Sequence, residues 1–205
     1  MKSVILEVGV NRGTDTTRLL NLYKKELHGF EPVPNLYNML KEKFYRDTRV
    51  HIHNNAVGHV NETMPFYITV DVPGIMAKHG ASSLFPFREN LKEDWDRKDF
   101  NTSEIIDIQV IRLEDFIVEN NIDEVVYLHC DAQGNDINVL RGLGSQAHKV
   151  KAGVVEATKN IPLYQESENR VNVITEWIED NGFKVTQLKD NDKLGAEINI
   201  YFERK

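Results

Sequence analysis

The first predicted strand and the turn after it constrain the fold of this chain more than any other stretch. Residues 4–8 have the pattern of a short buried strand, and a turn with glycines at Gly9 and Gly13 follows directly. A helical pattern comes next, for which Thr14 or Asp15 is the expected N-cap. A strand, a glycine turn and a helix in this order are typical of the beginning of an α/β domain.

Strand and helix patterns continue to alternate along most of the chain. Further strands are predicted at residues 27–31, 50–53, 64–70, 106–112, 125–130 and 152–156, and helices at residues 36–44, 113–120, 134–142 and 171–181. The last two predicted strands, 183–188 and 197–202, are separated by a polar stretch too short for a helical crossover, so they must pair antiparallel. The sequence therefore predicts a single domain over residues 1–205, with an α/β fold that is doubly wound around a mostly parallel sheet and ends in an antiparallel hairpin.

One long stretch, at about residues 71–104, interrupts this alternation. It has no clean periodicity and is too long for an ordinary connection, so we expect a lid-like insertion with a functional role. Phe85, Phe87 and Trp95 offer aromatic faces that could stack against a sugar ring. They could equally well cover the edge of the sheet, and the sequence leaves both alternatives open.

The charge balance and the cysteine content limit the partners and the compartment. The chain has 25 basic and 32 acidic residues, a net charge of -7, so its surface repels phosphate backbones and nucleic acid is not an expected partner. Cys130 is the only cysteine, which excludes an internal disulfide and fits a reducing compartment. No apolar run is long enough to insert into a membrane and no signal peptide is evident, so a cytoplasmic location is expected. Because the first strand begins almost at once, we also expect the chain to be a module of a longer, fused polypeptide.

The glycine turn predicts a ligand that contains a ribose. Gly9 and Gly13 allow close approach to the backbone, although the same glycines are compatible with an ordinary tight turn. Asn11 breaks the pattern that dinucleotide-binding turns require, which disfavours NAD. Glu31 ends the second predicted strand 18 residues after Gly13, where a carboxylate can accept hydrogen bonds from both ribose hydroxyls.

Three further residues are expected near the same ligand. Asn55 and Ala56 follow the third predicted strand, whose end lies beside the first two, so they could reach the edge of an adenine. Glu7 lies just before the turn and could face the cationic end of a bound amino acid. Alternatively, Glu7 is a structural carboxylate that is partly buried.

Two carboxylates are expected at the same edge of the sheet. Asp131 follows the apolar central strand at residues 125–130, and Glu156 ends the next core strand. Such a pair can remove a proton or hold a divalent cation, and Asp131 is the candidate general base. The alternatives are that Asp131 caps the following helix and that Glu156 pairs with a lysine.

Two histidines, His51 and His53, share one face of a predicted strand, and His59 is close in sequence. This arrangement hints at a metal site. Ordinary exposed strand histidines are the favoured interpretation.

A series of short segments resembles the FkbM family of methyltransferases and recurs in family order. The segments are residues 6–13 (LEVGVNRG), 29–32 (GFEP), 55–58 (NAVG), 82–84 (SSL), 113–115 (LED), 128–134 (LHCDAQG) and 139–142 (VLRG). The resemblance spans about residues 4–185. Its most specific segment is Asp131-Ala-Gln133-Gly134, followed by the acidic residue Asp136.

The resemblance implies a class I methyltransferase fold with a seven-stranded sheet and S-adenosylmethionine as the cofactor. The residues that it implies for cofactor binding are Gly9, Asn11, Gly13, Glu31 and the Asn55 and Ala56 region, with Glu7 close by. It implies O-methylation of a sugar or polyketide hydroxyl beside Asp131, and Asp131, Gln133 and Glu156 are the predicted catalytic residues. A sugar or glycan, for example a deoxysugar such as rhamnose, is the expected acceptor.

The sequence also departs from the family pattern. His129 stands where the family usually has lysine, and Asp136 replaces the more common glutamate. Sugar O-methyltransferases of related folds often use a divalent cation held by acidic residues at strand ends, so Asp131 and Glu156 could also be ligands and the metal requirement stays open. Two other functions fit the same sheet: an NAD(P)-dependent oxidoreductase, against which Asn11 argues, and a non-catalytic nucleotide-binding module.

Overall fold

Strands and helices alternate through the part of the chain that the structure, a computed structural model, describes, which is residues 1–69, 80–89, 102–191 and 196–205. The strands are β1 (Ser3–Val8), β2 (Glu26–Phe30), β3 (Val50–His53), β4 (Ala56–Gly58), β5 (Glu62–Thr69), β6 (Thr102–Arg112), β7 (Glu124–Cys130), β8 (Ala152–Thr158), β9 (Phe183–Asp190) and β10 (Glu197–Arg204). The α-helices are α1 (Thr14–Tyr23), α2 (Pro34–Phe44), α3 (Leu113–Glu119), α4 (Asp136–Arg141) and α5 (Val171–Asp180), and a short 3₁₀ helix covers Gly144–Lys149.

The main sheet has seven strands in the order β3-β2-β1-β7-β8-β10-β9. The pairs from β3 to β8 are parallel, whereas β10 runs antiparallel to both β8 and β9. The predicted mostly parallel sheet with a C-terminal hairpin is therefore confirmed. The order of the strands reverses between β1 and β7, and open α/β sheets bind ligands in the crevice at the carboxyl end of such a reversal.

A second, smaller sheet stands beside the main one. In the order β4-β6-β5, β6 pairs parallel to β4 and antiparallel to β5. The sequence analysis predicted the two longer strands but neither β4 nor their separation into another sheet. A small core joins this second sheet to the beginning of α2 and contains Val33, Leu36, Ala56, Phe66, Ile68, Leu84, Ile108 and Val110.

Strand β1 is buried from both sides of the main sheet. Because successive side chains alternate between faces, Leu6 packs into the larger core beneath α3, α4 and α5, whereas Ile5 packs with Leu19 and Leu20 of α1. Burying one such aliphatic side chain stabilises a fold by roughly 1.5–3 kcal/mol. The carboxyl end of β1 and the turn beyond it are therefore held in a rigid frame.

Within the described ranges, no helix is long and apolar enough to cross a membrane.

Helix α1 begins differently from the prediction. Its N-cap is Gly13, with a left-handed φ of 70° and no side-chain capping bond, so the expected cap at Thr14 or Asp15 is wrong. The reason is packing, because a Cβ atom at position 13 would lie 2.7 Å from the ring of Phe44 and 3.0 Å from Leu40. Close contact with α2 therefore selects glycine at this position.

The expected insertion at residues 71–104 is only partly within the described residues, and Trp95 lies outside them. Ser83 exchanges two backbone hydrogen bonds with Tyr67 of β5, at 2.8 and 3.0 Å. Phe87 stacks on Tyr164 with ring centroids 5.4 Å apart, and Phe85 packs in the same small cluster. These two aromatic side chains therefore pack against the loop that contains Tyr164, which is neither of the two expected alternatives.

Candidate active site

A cavity opens at the carboxyl end of the main sheet, where β1 and β7 meet. Its volume is about 570 Å³ when the part that is open to solvent is included. Glu31 lines this cavity together with Asp131, so the ends of β2 and β7 contribute to a single site. Much of the remaining wall is apolar and includes Val8, Phe30, Val33, Leu36, Val57, Phe66 and Leu84.

Most of the residues predicted from the sequence lie on this wall. The predicted residues that line the cavity are Gly9, Asn11, Glu31, Asn55, Ala56, Asp131 and Gln133. Glu7, Gly13 and Glu156 are not among the lining residues. Glu156 nevertheless contacts the site through Gln133, whereas Gly13 lies against α2.

Glu31 is a buried carboxylate that two backbone amides hold in place. Its Oε2 accepts a hydrogen bond of 2.7 Å from the N–H of Asn11, and its Oε1 accepts one of 2.9 Å from the N–H of Val33. Burial raises the pKa of Glu31 to about 7, and the negative charge of Asp131 adds to this rise. Each carboxylate oxygen keeps a further lone pair, so Glu31 can accept two hydroxyl donors from a ligand.

The turn after β1 packs tightly against the end of β7. A Cβ atom at Gly9, whose φ is 79°, would lie 1.9 Å from the backbone oxygen of Asp131. The N–H of Asn11 binds Glu31, and the N–H of Gly13 binds the oxygen of Val10 at 2.9 Å. These two amides are therefore used within the protein and do not offer a nest for a pyrophosphate, which fits a nucleoside ligand without phosphates. The side-chain Oδ1 of Asn11 is buried and has no hydrogen-bond partner in the part of the chain that the structure describes.

Gln133 connects the two predicted catalytic carboxylates. Its Nε2 donates to Oδ1 of Asp131 at 2.6 Å and lies 3.3 Å from Oε2 of Glu156. Its Oε1 accepts a hydrogen bond of 2.8 Å from the hydroxyl of Tyr164. The amide is therefore fixed on both sides, and it holds the carboxylate of Asp131 in one orientation at the cavity wall.

Burial raises the pKa of both carboxylates above its ordinary value. For Glu156, the nearby charge of Asp131 raises it further, and for Asp131 the hydrogen bond from Gln133 opposes the rise. Glu156 also accepts a hydrogen bond from Asn191. Two adjacent carboxyl groups with raised pKa values hold and exchange protons more readily near neutral pH than ordinary surface carboxylates do.

The structural alternative for Asp131 is wrong, and the one for Glu156 finds no support among the described residues. The N-cap of α4 is Asn135, so Asp131 does not cap that helix. Among the described residues, no lysine pairs with Glu156, whose hydrogen bonds come from Gln133 and Asn191.

Glu7 lies beneath α1 and away from the cavity wall. It is fully buried, and its Oε2 accepts a hydrogen bond of 2.7 Å from Thr16. Burial raises the pKa of Glu7 to about 8. His129 lies opposite Glu7 on the adjacent strand β7. Among the described residues, neither Oε1 of Glu7 nor Nδ1 of His129, both buried, has a hydrogen-bond partner.

Asn55 and the histidines of β3 are the remaining residues that the sequence singled out. Asn55 donates a hydrogen bond of 3.3 Å from Nδ2 to the backbone oxygen of Gln109, which turns part of the amide toward β6. His53 stacks on His28 with ring centroids 5.3 Å apart, while the side chain of His51 is 43% exposed. In residues 1–69, 80–89, 102–191 and 196–205, no group of three or more His, Cys, Asp or Glu residues is arranged to hold a metal ion.

Several residues of the site were not predicted from the sequence. Tyr164 and Asn169 come from the irregular segment between β8 and α5, and Asn191 follows β9. No periodic pattern includes them, because they reach the carboxylates only through the path of their loops. The Asp-x-Gln-Gly segment was a signal for Gln133 but not for the residues that hold it.

Several solved structures share the fold of this chain. Fibrillarin from Aeropyrum pernix, solved with natively bound S-adenosyl-L-methionine, is 12% identical with a TM-score of 0.53, and the alignment covers 98% of this chain and 66% of that one. SMU.1697c from Streptococcus mutans, a putative methyltransferase in complex with SAH, is 9% identical with a TM-score of 0.53, and the alignment covers 99% and 89% of the two chains. WbdD is 12% identical with a TM-score of 0.53, and the alignment covers 98% of this chain but only 35% of that one. The chain thus spans less than two thirds of the length of fibrillarin and of WbdD. At these identities the likeness concerns the fold alone.

The sequence itself identifies the family. No curated protein matches the chain. Residues 7–185 match the profile of the methyltransferase FkbM domain, which includes the glycine turn, Glu31, Asp131 and Glu156. The chain therefore belongs to the FkbM family of methyltransferases and has the fold of class I methyltransferases.

Proposed function

We propose that this protein transfers a methyl group from S-adenosylmethionine to a hydroxyl of a sugar or glycan. The observation that carries the proposal is that Asp131, held by Gln133 beside Glu156, lines the same cavity as Glu31. The cofactor, when bound, supplies an activated methyl group on its sulfonium centre. Asp131 and Glu156 would then serve proton transfer, whereas Glu31 would bind the ribose of the cofactor.

Glu31 and its neighbours would hold the nucleoside part of the cofactor. The carboxylate of Glu31 accepts the ribose hydroxyls, while Asn55 and Ala56 border the part of the cavity where an adenine edge fits. The buried and unpartnered Oδ1 of Asn11 offers one more acceptor beside Glu31. Gly9 and Gly13 would contribute to cofactor binding by forming the turn after β1. Glu7 would support this turn from beneath α1.

Asp131 is the proposed general base. A sugar hydroxyl is a poor nucleophile until a base accepts its proton as the new oxygen–carbon bond forms. The raised pKa of Asp131 makes its carboxylate a better proton acceptor than an ordinary aspartate. Gln133 keeps one carboxylate oxygen engaged, so the other is directed toward the acceptor, and Glu156 lies close enough to share the proton through this network.

The chemistry of the same cluster favours a neutral acceptor that carries several hydroxyls. Two adjacent carboxyl groups repel a phosphate or carboxylate on an acceptor, whereas they accept hydrogen bonds from sugar hydroxyls. Ser82 and Asn135 also line the cavity, where the hydroxyl of Ser82 is hydrogen-bonded to Thr69 and the side-chain amide of Asn135 donates to Val57. A neutral sugar, for example a deoxysugar such as rhamnose, fits the two carboxyl groups best.

The test combines cofactor binding with methyl transfer. Calorimetric titration with S-adenosylmethionine is followed by mass spectrometry of neutral and anionic sugars incubated with protein and cofactor. We expect transfer to a neutral sugar, and we expect Asp131→Asn to reduce kcat by about 10²–10⁴-fold while the Kd of the cofactor changes little. Asp123→Asn, which replaces an exposed aspartate at the other end of β7, is the matched control.

Three results would contradict the proposal in different ways. No binding at millimolar S-adenosylmethionine would contradict its assignment as the cofactor, and thermal stabilisation by NAD instead would point to an oxidoreductase. Full activity of Asp131→Asn would contradict the assignment of Asp131 as the base. Cofactor binding without transfer to any acceptor, with no property changed by Asp131→Asn, would indicate a non-catalytic binding module.

A further inference from the structure

Asp136 is a fully buried carboxylate at the beginning of α4, and the role proposed above does not involve it. Its Oδ1 accepts a hydrogen bond of 3.0 Å from the backbone N–H of Ala132, the residue that follows Asp131. The same oxygen accepts a weaker bond of 3.3 Å from Sγ of Cys130, the last residue of β7. Asp136 is therefore bound to the strand end that carries the proposed base.

Asn169 is buried on the other side of Asp136. Its Nδ2 donates to Oδ2 of Asp136 at 3.1 Å and to the backbone oxygen of Glu156 at 3.0 Å. Its Oδ1 accepts a hydrogen bond of 3.1 Å from the N–H of Ile137. Both protons of the amide are thus engaged, one on α4 and one on the end of β8.

These contacts form one continuous connection between two strand ends. It runs from the N–H of Ala132 through Asp136 and Asn169 to the backbone oxygen of Glu156. We propose that Asp136 and Asn169 are positioning residues that set the spacing between the carboxylates of Asp131 and Glu156. The catalytic importance of this spacing rests on the proposed function. The role of the two residues in setting the spacing does not depend on it.

The energetic cost of Asp136 supports a positioning role. A buried carboxylate costs several kcal/mol in desolvation, and well-packed apolar side chains are often as stabilising or more so at such a position. Among the described residues no cation pairs with Asp136. Its carboxylate accepts hydrogen bonds from Sγ of Cys130, the N–H of Ala132 and Nδ2 of Asn169, and the side-chain oxygen of Asn169 accepts one from the N–H of Ile137 on α4. The hydrogen bonds of this pair are therefore directed at the segments that carry the two catalytic carboxylates.

Gln133 makes the spacing measurable. Its Nε2 lies 2.6 Å from Asp131 but already 3.3 Å from Glu156, so a small separation of the strand ends would break the longer contact. The two side-chain N–H signals of Gln133 report on both contacts. The chain has five glutamines, so selective ¹⁵N labelling of glutamine gives a spectrum that can be assigned, with Gln133→Met identifying the signals.

The experiment compares two nearly isosteric changes with a matched control. Asn169→Asp removes the donor to Asp136 and to Glu156, and Asp136→Asn places two amides opposite each other while the acceptor for Ala132 is retained. Asn138→Asp makes the same chemical change on α4, at a residue that contacts Asn135 and Arg141 and neither of the carboxylates. Thermal unfolding identifies the variants that fold, and spectra are recorded on those.

We expect the Gln133 amide signals to shift in Asn169→Asp and in Asp136→Asn but to stay in place in Asn138→Asp. With an active acceptor in hand, kcat should fall by about 100-fold in the first two variants with little change in the KM of the cofactor, because a displacement of the order of 1 Å has this effect. A buried hydrogen bond that only stabilises the fold would lower the unfolding temperature without lowering kcat selectively relative to the KM of the cofactor.

Unmoved Gln133 signals in either folded variant would overturn the positioning role, whatever the activity. A fall in kcat no larger than that of Asn138→Asp would also overturn it. If Asn169→Asp does not fold, Asp136→Asn alone decides between these results, and the exchanged pair Asp136→Asn with Asn169→Asp restores only the contact between the two residues. The failure of the wild-type protein to methylate any sugar would contradict the proposed function and leave the Gln133 result as it stands.

Discussion

The backbone N–H of Asn11 donates a hydrogen bond of 2.7 Å to the carboxylate of Glu31, which joins the turn after β1 to the end of β2. A second amide, that of Val33, holds the other oxygen, so the carboxylate has one orientation at the cavity wall. A ligand with two adjacent hydroxyls therefore meets acceptors that are already in place, and little side-chain entropy is lost when it binds.

Replacing Glu31 with glutamine should weaken cofactor binding because one oxygen becomes a donor that opposes either the amide of Asn11 or a ribose hydroxyl. A hydrogen bond to a charged group contributes about 1.5–3 kcal/mol, so we expect Kd to rise by roughly 10-fold to 100-fold. Calorimetric titration of Glu31→Gln with S-adenosylmethionine measures this change. Glu26→Gln, at the other end of the same strand, is the control and should bind normally. An unchanged Kd in Glu31→Gln would remove Glu31 from the ribose site.

Cofactor affinity should also depend on pH through Glu31. Burial raises the pKa of Glu31 to about 7 in the free protein, so a growing fraction of the carboxyl group is protonated below that pH. Because the ribose hydroxyls donate to the ionised form, Kd should decrease as the pH rises from 6 to 8 and should be constant above that range. Titrations at several pH values test this expectation, and the dependence should be absent in Glu31→Gln. A Kd that is independent of pH in the wild-type protein would contradict it.

The residues that could be predicted from the sequence lie at the ends of regular strands. Glu31 and Asp131 each follow a recognisable apolar strand, and the carboxyl ends of parallel strands lie at one edge of a sheet. The expectation that they share a site therefore needed only the order of the strands. The shared cavity agrees with that expectation.

The residues that could not be predicted depend on tertiary packing. Strand β4 has only three residues, too few for any periodic pattern, and the second sheet is defined by its pairing with β6. Tyr164 and Asn169 reach the carboxylates from an irregular segment, whose path the sequence does not reveal. The N-cap of α1 was wrongly predicted because the contact of Gly13 with Phe44 outweighs the capping preference of a neighbouring side chain.

Two stacked histidines should favour unfolding in acid. Burial lowers the pKa of His28 and of His53 to about 4, and nearby histidine charges add to the effect. Between pH 6.5 and 4 these two histidines therefore bind more protons in the unfolded chain than in the folded one, so their contribution to the free energy of unfolding decreases as the pH falls, whereas the raised pKa values of Glu7 and Glu31 act in the opposite direction. The slope is at most about 1.4 kcal/mol per pH unit for each histidine, and it disappears below the folded pKa.

The variant His53→Phe isolates this contribution. Phenylalanine retains the stacking on Phe30 and the edge contact with Phe116, but it does not titrate. Urea unfolding at pH 7, 6, 5 and 4 gives the difference in the free energy of unfolding between the two proteins, which should change in favour of the variant as the pH falls, on top of a constant cost for the lost contact with Nδ1 of His28. Parallel curves for the two proteins would show that His53 takes no part.

A comparison of two glycines with nearly the same φ distinguishes the cost of backbone strain from the cost of a steric clash. Gly9 has φ 79° and Gly182 has φ 81°, so alanine costs roughly 1–2 kcal/mol at either position. A Cβ atom at Gly182 would meet only the flexible end of Arg204 at 3.4 Å, whereas at Gly9 it would lie 1.9 Å from the backbone oxygen of Asp131. Gly9→Ala should therefore lower the free energy of unfolding by more than Gly182→Ala does and should also weaken cofactor binding, because the end of β7 must move. Urea unfolding and calorimetric titration of both variants measure these effects, and equal losses of stability with an unchanged Kd in Gly9→Ala would show that the turn and Asp131 are not coupled.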